Sequence, residues 1–415
     1  MSFKDSQFDY LFSAIADKYP AIAQKTDTTQ FQFAGSPMAA AWTKGDSYEA
    51  HQFANHVPAD VNGFYTPNPG ELSNAYGSLI ASIDPGVDGS KDPTYIKLIK
   101  QKQDAESAQK SNLDQMKAAW ATYVQANTDP KTGQPAMSFD DWKNSEIGGL
   151  EYQNAIDSKQ AELDDITKNI ATLVKSFNAA LAQDQEKFTD DKYQAQYTRK
   201  GTPVQLPEIT IEGDLGQDVS NWDNAPEGSY DLDVTLTKDS EVKTPWKTLT
   251  RTDVSQHCFK TSVTSKTTSS RIINDSHYKL RVMLKGFKSY NITFGGWYDS
   301  TYVSPNTAKF SPASTVNSET FFAANGGALH MIPSQVWVMY QPEIELTISS
   351  ELYKETVKGD LESNIDWLDI LSMRFSADAG HSIVKEGETV TTISFKSPTL
   401  QGPQVYGVTS LLEVK

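Results

Sequence analysis

The side chains best able to do chemistry in this chain are few and poorly spaced for it. His51 and His56, with Glu49 and Asp60 nearby, stand five residues apart. Two imidazoles on one helical face need a spacing of four, so this pair does not predict a metal centre. His257, His277, His330 and His381 are isolated, and neither HExxH nor GxSxG occurs. Cys258 is the single cysteine, which excludes an internal disulfide and a cysteine-based zinc site. It reads as a small packed side chain rather than a nucleophile. Asp84, Asp88 and Asp92 have the composition of a calcium loop, but they lie four apart instead of two and no Glu closes the loop. There is no phosphate-cradling glycine loop and no dinucleotide fingerprint. The residues therefore predict no catalytic group, no metal and no cofactor. An enzyme with a site assembled from scattered residues is kept as a third reading.

Binding chemistry is better represented. Between Lys247 and Lys288 the chain carries Lys260, Lys266, Arg271, Lys279 and Arg281 among other cations, against only Asp253 and Asp275. Alternation over residues 278–284 puts Tyr278, Leu280, Val282 and Leu284 on one face of a strand, with Lys279, Arg281 and Met283 on the other. Such a stripe attracts an anionic lipid surface, at about 1 kcal/mol per cation. The competing reading pairs it with acidic surface, for which the helix carrying Asp157, Glu162, Asp164 and Asp165 is available. Residues 295–302, GGWYDSTY, place Trp297, Tyr298 and Tyr302 after a glycine pair. They read either as core or corner packing, the commoner fate of such residues, or as an exposed loop that enters a membrane interface or stacks on a sugar ring. Two Ser/Thr-rich tracts, 248–270 and 300–320, read either as amphipathic strands of a β-pore or as polar edges of a soluble sheet.

These groups must be positioned by three kinds of element. Residues 1–92 read as short helices packed on the body, the first running from Gln7 until Pro20 stops or bends it. Residues 93–199 read as a long antiparallel helical hairpin of coiled-coil type, roughly 45–60 Å long. Its seam is Leu113, Met116 and Trp120 on the first helix, and Leu163, Ile166, Ile170, Leu173 and Phe177 on the second. Lys102, Glu106 and Gln109 interrupt the first seam, and Lys159 the second. Residues 200–415 alternate with period two between Gly, Pro and Asn breaks, which predicts an antiparallel β-sandwich, with a short helix at Leu361–Leu371. The fold class is thus multidomain α+β.

With 415 residues and 18 Phe, 18 Tyr and 8 Trp, the chain is long enough for several domains and rich enough to bury real cores. Its formal charge of −16 argues against a general nucleic-acid partner, which needs clustered cations over the contact face. The first twenty residues hold no uninterrupted apolar stretch, and no run of 18 apolar residues occurs. Neither a secretory signal peptide nor a membrane-spanning helix is expected. The expected location is cytoplasmic as synthesised, with release by a route that uses no signal peptide.

A helical region with a long hairpin, followed by a β-sandwich, is similar in architecture alone to toxin-like, pore-forming proteins. The leading expectation is a non-enzymatic, toxin-like protein that engages an anionic membrane, a receptor or a glycan, forms homo-oligomers and opens pores. The alternative is a structural scaffold that self-assembles through its coiled-coil hairpin.

Overall fold

Helix α1 (Gln7–Lys18) buries Leu11, Phe12 and Ile15 from one face, and Pro20 converts its continuation into a single 3-10 turn. The computed structural model that shows this describes residues 7–23, 28–34, 38–44, 47–61, 64–128, 136–137, 139–199, 201–244, 271–272, 274–324, 326–358, 366–370, 373–376, 382–396 and 402–412.

The N-terminal region holds more than helices. Besides α2 (Ser47–Ala54) and α3 (Leu72–Ala81), it supplies three strands, β1 (Thr29–Ala34), β2 (His56–Val61) and β3 (Phe64–Glu71). After the helical stretch come a hairpin of β4 (Gln194–Arg199) and β5 (Thr202–Pro207), then β6 (Ile209–Ile211), β7 (Leu232–Thr237), β8 (Lys279–Phe294) and β9 (Met331–Ser349). A second hairpin, β10 (Asp366–Ile370) with β11 (Met373–Ser376), occupies the place where a helix at Leu361–Leu371 was expected. The chain ends in β12 (Ser382–Glu386), β13 (Val390–Lys396) and β14 (Gln404–Leu412).

Ten of these strands form one sheet in the order β12-β13-β9-β14-β1-β3-β2, with β8 along the other side of β9, and β6 and β7 along β8. Every pairing is antiparallel except that of β1 with β3. The expected sandwich of two facing sheets is therefore replaced by one hydrogen-bonded sheet. The reason lies in β8 and β9, 16 and 19 residues long, which pair from Lys279↔Thr347 to Asn291↔Gln335 and run through both halves that a sandwich would separate.

Both long strands exchange their faces midway. In β8, Leu280, Val282 and Leu284 enter one core while Tyr290 and Ile292 enter the other; in β9, Val336 and Val338 oppose Ile344, Leu346 and Ile348 in the same way. Side chains of one parity stay on one face of a regular strand, so each strand must break its pleat once. The breaks sit together, at Gly286 on β8 and near its partner Tyr340 on β9, where Gln341 takes φ 44°. Gly286 is required because a Cβ there would lie 2.1 Å from the indole of Trp222. That indole stacks on Tyr340 and donates from Nε1 to Asp231 Oδ2 at 2.7 Å. Trp222 belongs to α8 (Leu215–Asp223). One core seats α1; the other seats α3, α8 and the long helices.

Those helices are α4 (Pro93–Asn127), α6 (Leu150–Val174) and α7 (Ala179–Thr189), with the short α5 (Phe139–Lys143) leading into α6. Asp92 caps α4, accepting from the amides of Thr94 and Tyr95. Helices α4 and α6 run side by side in opposite directions: Ile99 shares a core with Ile170, Gln109 bonds Gln160, and Trp120 packs on Trp142. Met116, Leu163 and Ile170 are buried between them; Leu113, Trp120, Ile166 and Leu173 are half-buried. Phe177 does not extend this line. The helix stops at Val174, Phe177 falls in the turn at 36% exposure, and Asn178 caps α7 by accepting from the Leu181 amide.

Candidate functional site

The interruption of the α4 seam is where the molecule opens. A cleft of about 390 Å³ lies between α3, α4, α6 and the segment around residues 315–328. Its floor is charged. Lys102 is only 2% exposed, and its Nζ donates to Glu106 Oε1 at 2.6 Å, to the Ser78 carbonyl at 3.1 Å and to the Ser78 and Ser82 hydroxyls at 3.3 Å. Glu106, one helical turn further on, also accepts from Ser78 Oγ. An ammonium taken out of water is tolerated only with such a full set of acceptors.

A second group of polar side chains faces it across the cleft. Glu71 ends β3 and accepts from Asn74 Nδ2 on α3 at 3.0 Å. Burial pushes its carboxyl above the usual range, against the opposing pull of the Lys143 ammonium. Lys143 on α5 donates to Gln52 Oε1 at 2.8 Å and lies 5.8 Å from the centre of the Phe139 ring. Between the long helices a chain of amides runs from Gln109 Nε2 to Gln160 Oε1 and from Gln160 Nε2 to Asp164 Oδ1, both 2.8 Å. Burial raises the Asp164 carboxyl too, the Gln160 bond opposing.

Behind the cleft, His51 of α2 is fully buried. Its Nε2 donates to the Pro207 carbonyl at 3.0 Å, its ring lies 4.6 Å from that of Tyr197, and its Nδ1 has no hydrogen-bond partner. Burial pushes its pKa down to about 4, with His56 and Lys143 adding repulsion, so the ring is neutral at pH 7.

The surface sites expected from sequence are distributed otherwise. Trp297 is 1% exposed and donates from Nε1 to the Glu208 carbonyl at 2.8 Å. Tyr298 packs on Phe294 and Tyr76, and the Tyr302 hydroxyl donates to Asp184 Oδ2 of α7. The glycine pair thus turns these aromatics into the helix-facing core instead of out to solvent. Arg281 is matched by the strands on either side, reaching Asp233 at 2.7 and 2.8 Å and Glu345 at 3.1 Å. Arg271 pairs with Glu355 at 2.6 Å and Lys288 with Asp218 at 2.8 Å. Lys279 is exposed at the start of β8. The cations that pair do so with neighbouring carboxylates of the sheet, α8 and the segment after β9, not with α6. Lys260 and Lys266, Cys258 and the tract 248–270 lie outside the described residues. The tract 300–320 is not strand: it forms a 3-10 turn at Ser300–Tyr302, a bridge at Phe310 to Ile83, and the start of a short helix at Ser318. Thr315, Val316 and Thr320 wall the cleft.

Among the described residues no group of three or more His, Cys, Asp or Glu side chains is placed to hold a metal, and no helix is long and apolar enough to cross a membrane. Compared with known proteins, the chain matches no family model, no curated protein and no solved structure.

Proposed function

We propose that this chain is a non-enzymatic binding protein that receives a small polar ligand in the cleft between α3 and the α4–α6 pair. The observation that carries the reading is Lys102 with Glu106: a buried ammonium and a part-buried carboxylate on α4, at positions where the seam pattern calls for apolar residues, beside open space. Apolar side chains there would close the seam and make the pair of helices at least as stable, because a buried ion pair gives back in attraction little more than it loses in desolvation. Polar side chains kept at the expense of packing mark sites where something other than stability is served. A cleft of a few hundred Å³ with convergent polar groups is also the usual form of a small-molecule site.

Support for this reading over a membrane-contacting, toxin-like surface comes from the residues that surface would use. Trp297 would have to leave the core, and Arg281 would have to abandon two carboxylates.

The test is a thermal-shift and calorimetric screen of small polar molecules against the full chain and Ser107→Trp. Ser107 is exposed at the rim of the cleft, so the indole blocks entry without disturbing the core. A compound that stabilises the wild type and loses its effect on S107W supports the reading. Equal effects on both proteins, or no effect from any compound, overturn it.

A further inference from the structure

The chemistry of the cleft also selects among ligands, and the selection rests on the binding role just proposed. Its formal charges balance: Lys102, Lys110 and Lys143 stand against Glu71, Glu106 and Asp164. No excess of either sign is left to attract an ion into a space that desolvates it. The abundant groups are carboxamides, namely Asn74, Gln103, Gln109, Gln153 and Gln160. A carboxamide offers two N–H donors and a carbonyl acceptor, which matches a hydroxyl group, itself donor and acceptor at once.

Four of these amides are already held in place, each donating one bond and Gln160 accepting another. Gln109 donates to Gln160, Gln160 to Asp164, Gln153 to Asp157 at 2.7 Å, and Asn74 to Glu71. Each keeps its second N–H, and the shared bonds fix the orientation in which it is presented. The fifth, Gln103, has a buried Nε2 with no acceptor. Its terminal torsion is broad, and a modest turn offers that donor to an occupant. Along the far part of the cleft, Leu113, Met116, Phe139, Ile156 and Leu163 supply an apolar wall. A polar rack opposite an apolar wall fits a molecule with hydroxyls at its edge and C–H groups on its face.

We propose that the ligand is an uncharged, hydroxyl-rich molecule of one or two sugar rings, its hydroxyls held by the Gln109–Gln160–Asp164 chain and its C–H face against Phe139. Calorimetric titration of the full chain tests this with three arms: neutral disaccharides and monosaccharides, sugar acids such as glucuronate, and amino sugars together with amino acids. The expected result is binding in the neutral arm, at least tenfold weaker binding of the charged analogues of the same ring, and at least a tenfold loss in Gln160→Leu. Circular dichroism and the melting temperature of Q160L establish that its fold is intact; Gln109→Leu serves as the second variant if Q160L does not fold. Selective binding in a charged arm, blocked by S107W, overturns the ligand class while leaving the cleft as a binding site. Silence in all three arms overturns the ligand class, and the wider screen then decides on the cleft.

Discussion

Fully buried and neutral, His51 makes a pH dependence that can be worked out in advance. In the unfolded chain its ring takes up a proton near pH 6.5; in the folded protein burial holds it to about pH 4. Above pH 6.5 neither state is protonated there and the residue is indifferent to pH. Below it the unfolded state gains a proton that the folded state refuses, so stability falls until the folded pKa is reached. At about 1.4 kcal/mol per pH unit, the loss between pH 6.5 and 4 is on the order of 3 kcal/mol. Unfolding carries roughly 2 cal/mol/K per residue, which for a chain of 415 residues lowers the melting temperature by about 3–4 °C if it melts as one unit. His51→Phe keeps a ring against Tyr197 but takes no proton. In melting and urea titrations of both proteins from pH 7.5 to 4, the wild type should lose about 3 kcal/mol more than H51F as the pH falls. Every other titrating group is common to the two, so the difference isolates this ring. Parallel curves would refute the assignment of a buried neutral His51.

Three further outcomes follow from the geometry. Glu71→Gln should be more stable than the wild type at pH 7 and equal to it below about pH 4.5, since a carboxyl raised by burial gives up stability as pH climbs from its ordinary 4.5 toward its folded value; urea midpoints against pH read this, and a less stable E71Q at pH 7 means that the attraction of Lys143 wins. Gly286→Ala should lower stability by about 1–3 kcal/mol with an unchanged urea m-value, because its Cβ overlaps the Trp222 indole; a neutral result would show that α8 is free to shift. Trp297→Ala should lose about 3–5 kcal/mol of stability, yet leave co-sedimentation with anionic vesicles unchanged at temperatures where it stays folded; weakened co-sedimentation would restore the aromatic segment as a membrane contact.

The sequence was legible where its periodicity was regular. Helix α1, the boundary before α4 at residues 92–93 and strands β6, β7, β13 and β14 follow directly from spacing, whereas β10 and β11 replace an expected helix and β12 has no clear alternation. Period two lapses at residues 285–289 within β8 and at 341–342 within β9, so the sequence predicts two short strands in place of each. Those divisions coincide with the exchange of faces at Gly286 and Gln341, so a break in period two signalled a bent strand and not a turn. β1 carries the same period two in Gln30-Phe31-Gln32-Phe33, but over only six residues set among Ala-, Gly- and Pro-rich text that reads as helix and loop. Of the cleft, the helical half was visible as Lys102, Glu106 and Gln109 on a seam that wants apolar residues. Glu71, Asn74 and Lys143 carried no local signal, since only tertiary contact brings β3, α3 and α5 to the same place. The aromatic triplet at 297–302 had the composition of a surface loop, and only the acceptor at Glu208 and the packing of α3 reveal it as core.

The position of β1 bears on how the molecule comes together. Thr29 pairs with Leu411 and Phe33 with Gly407 on one edge of β1, while its other edge meets β3. All the intervening chain is thereby a single closed loop, and its closure entropy must be met before the centre of the sheet exists. The long helices, held by local bonds, are free to form early. Phe33 gains Tyr406 only when β14 arrives, and the seat of Phe12 of α1, which packs on both Phe31 and Phe33, is completed then. The β1 side of that seat is therefore closed late by the last strand, while the rest of α1 is tied independently to residues 231–244 through Ser13, Asp17 and Tyr19.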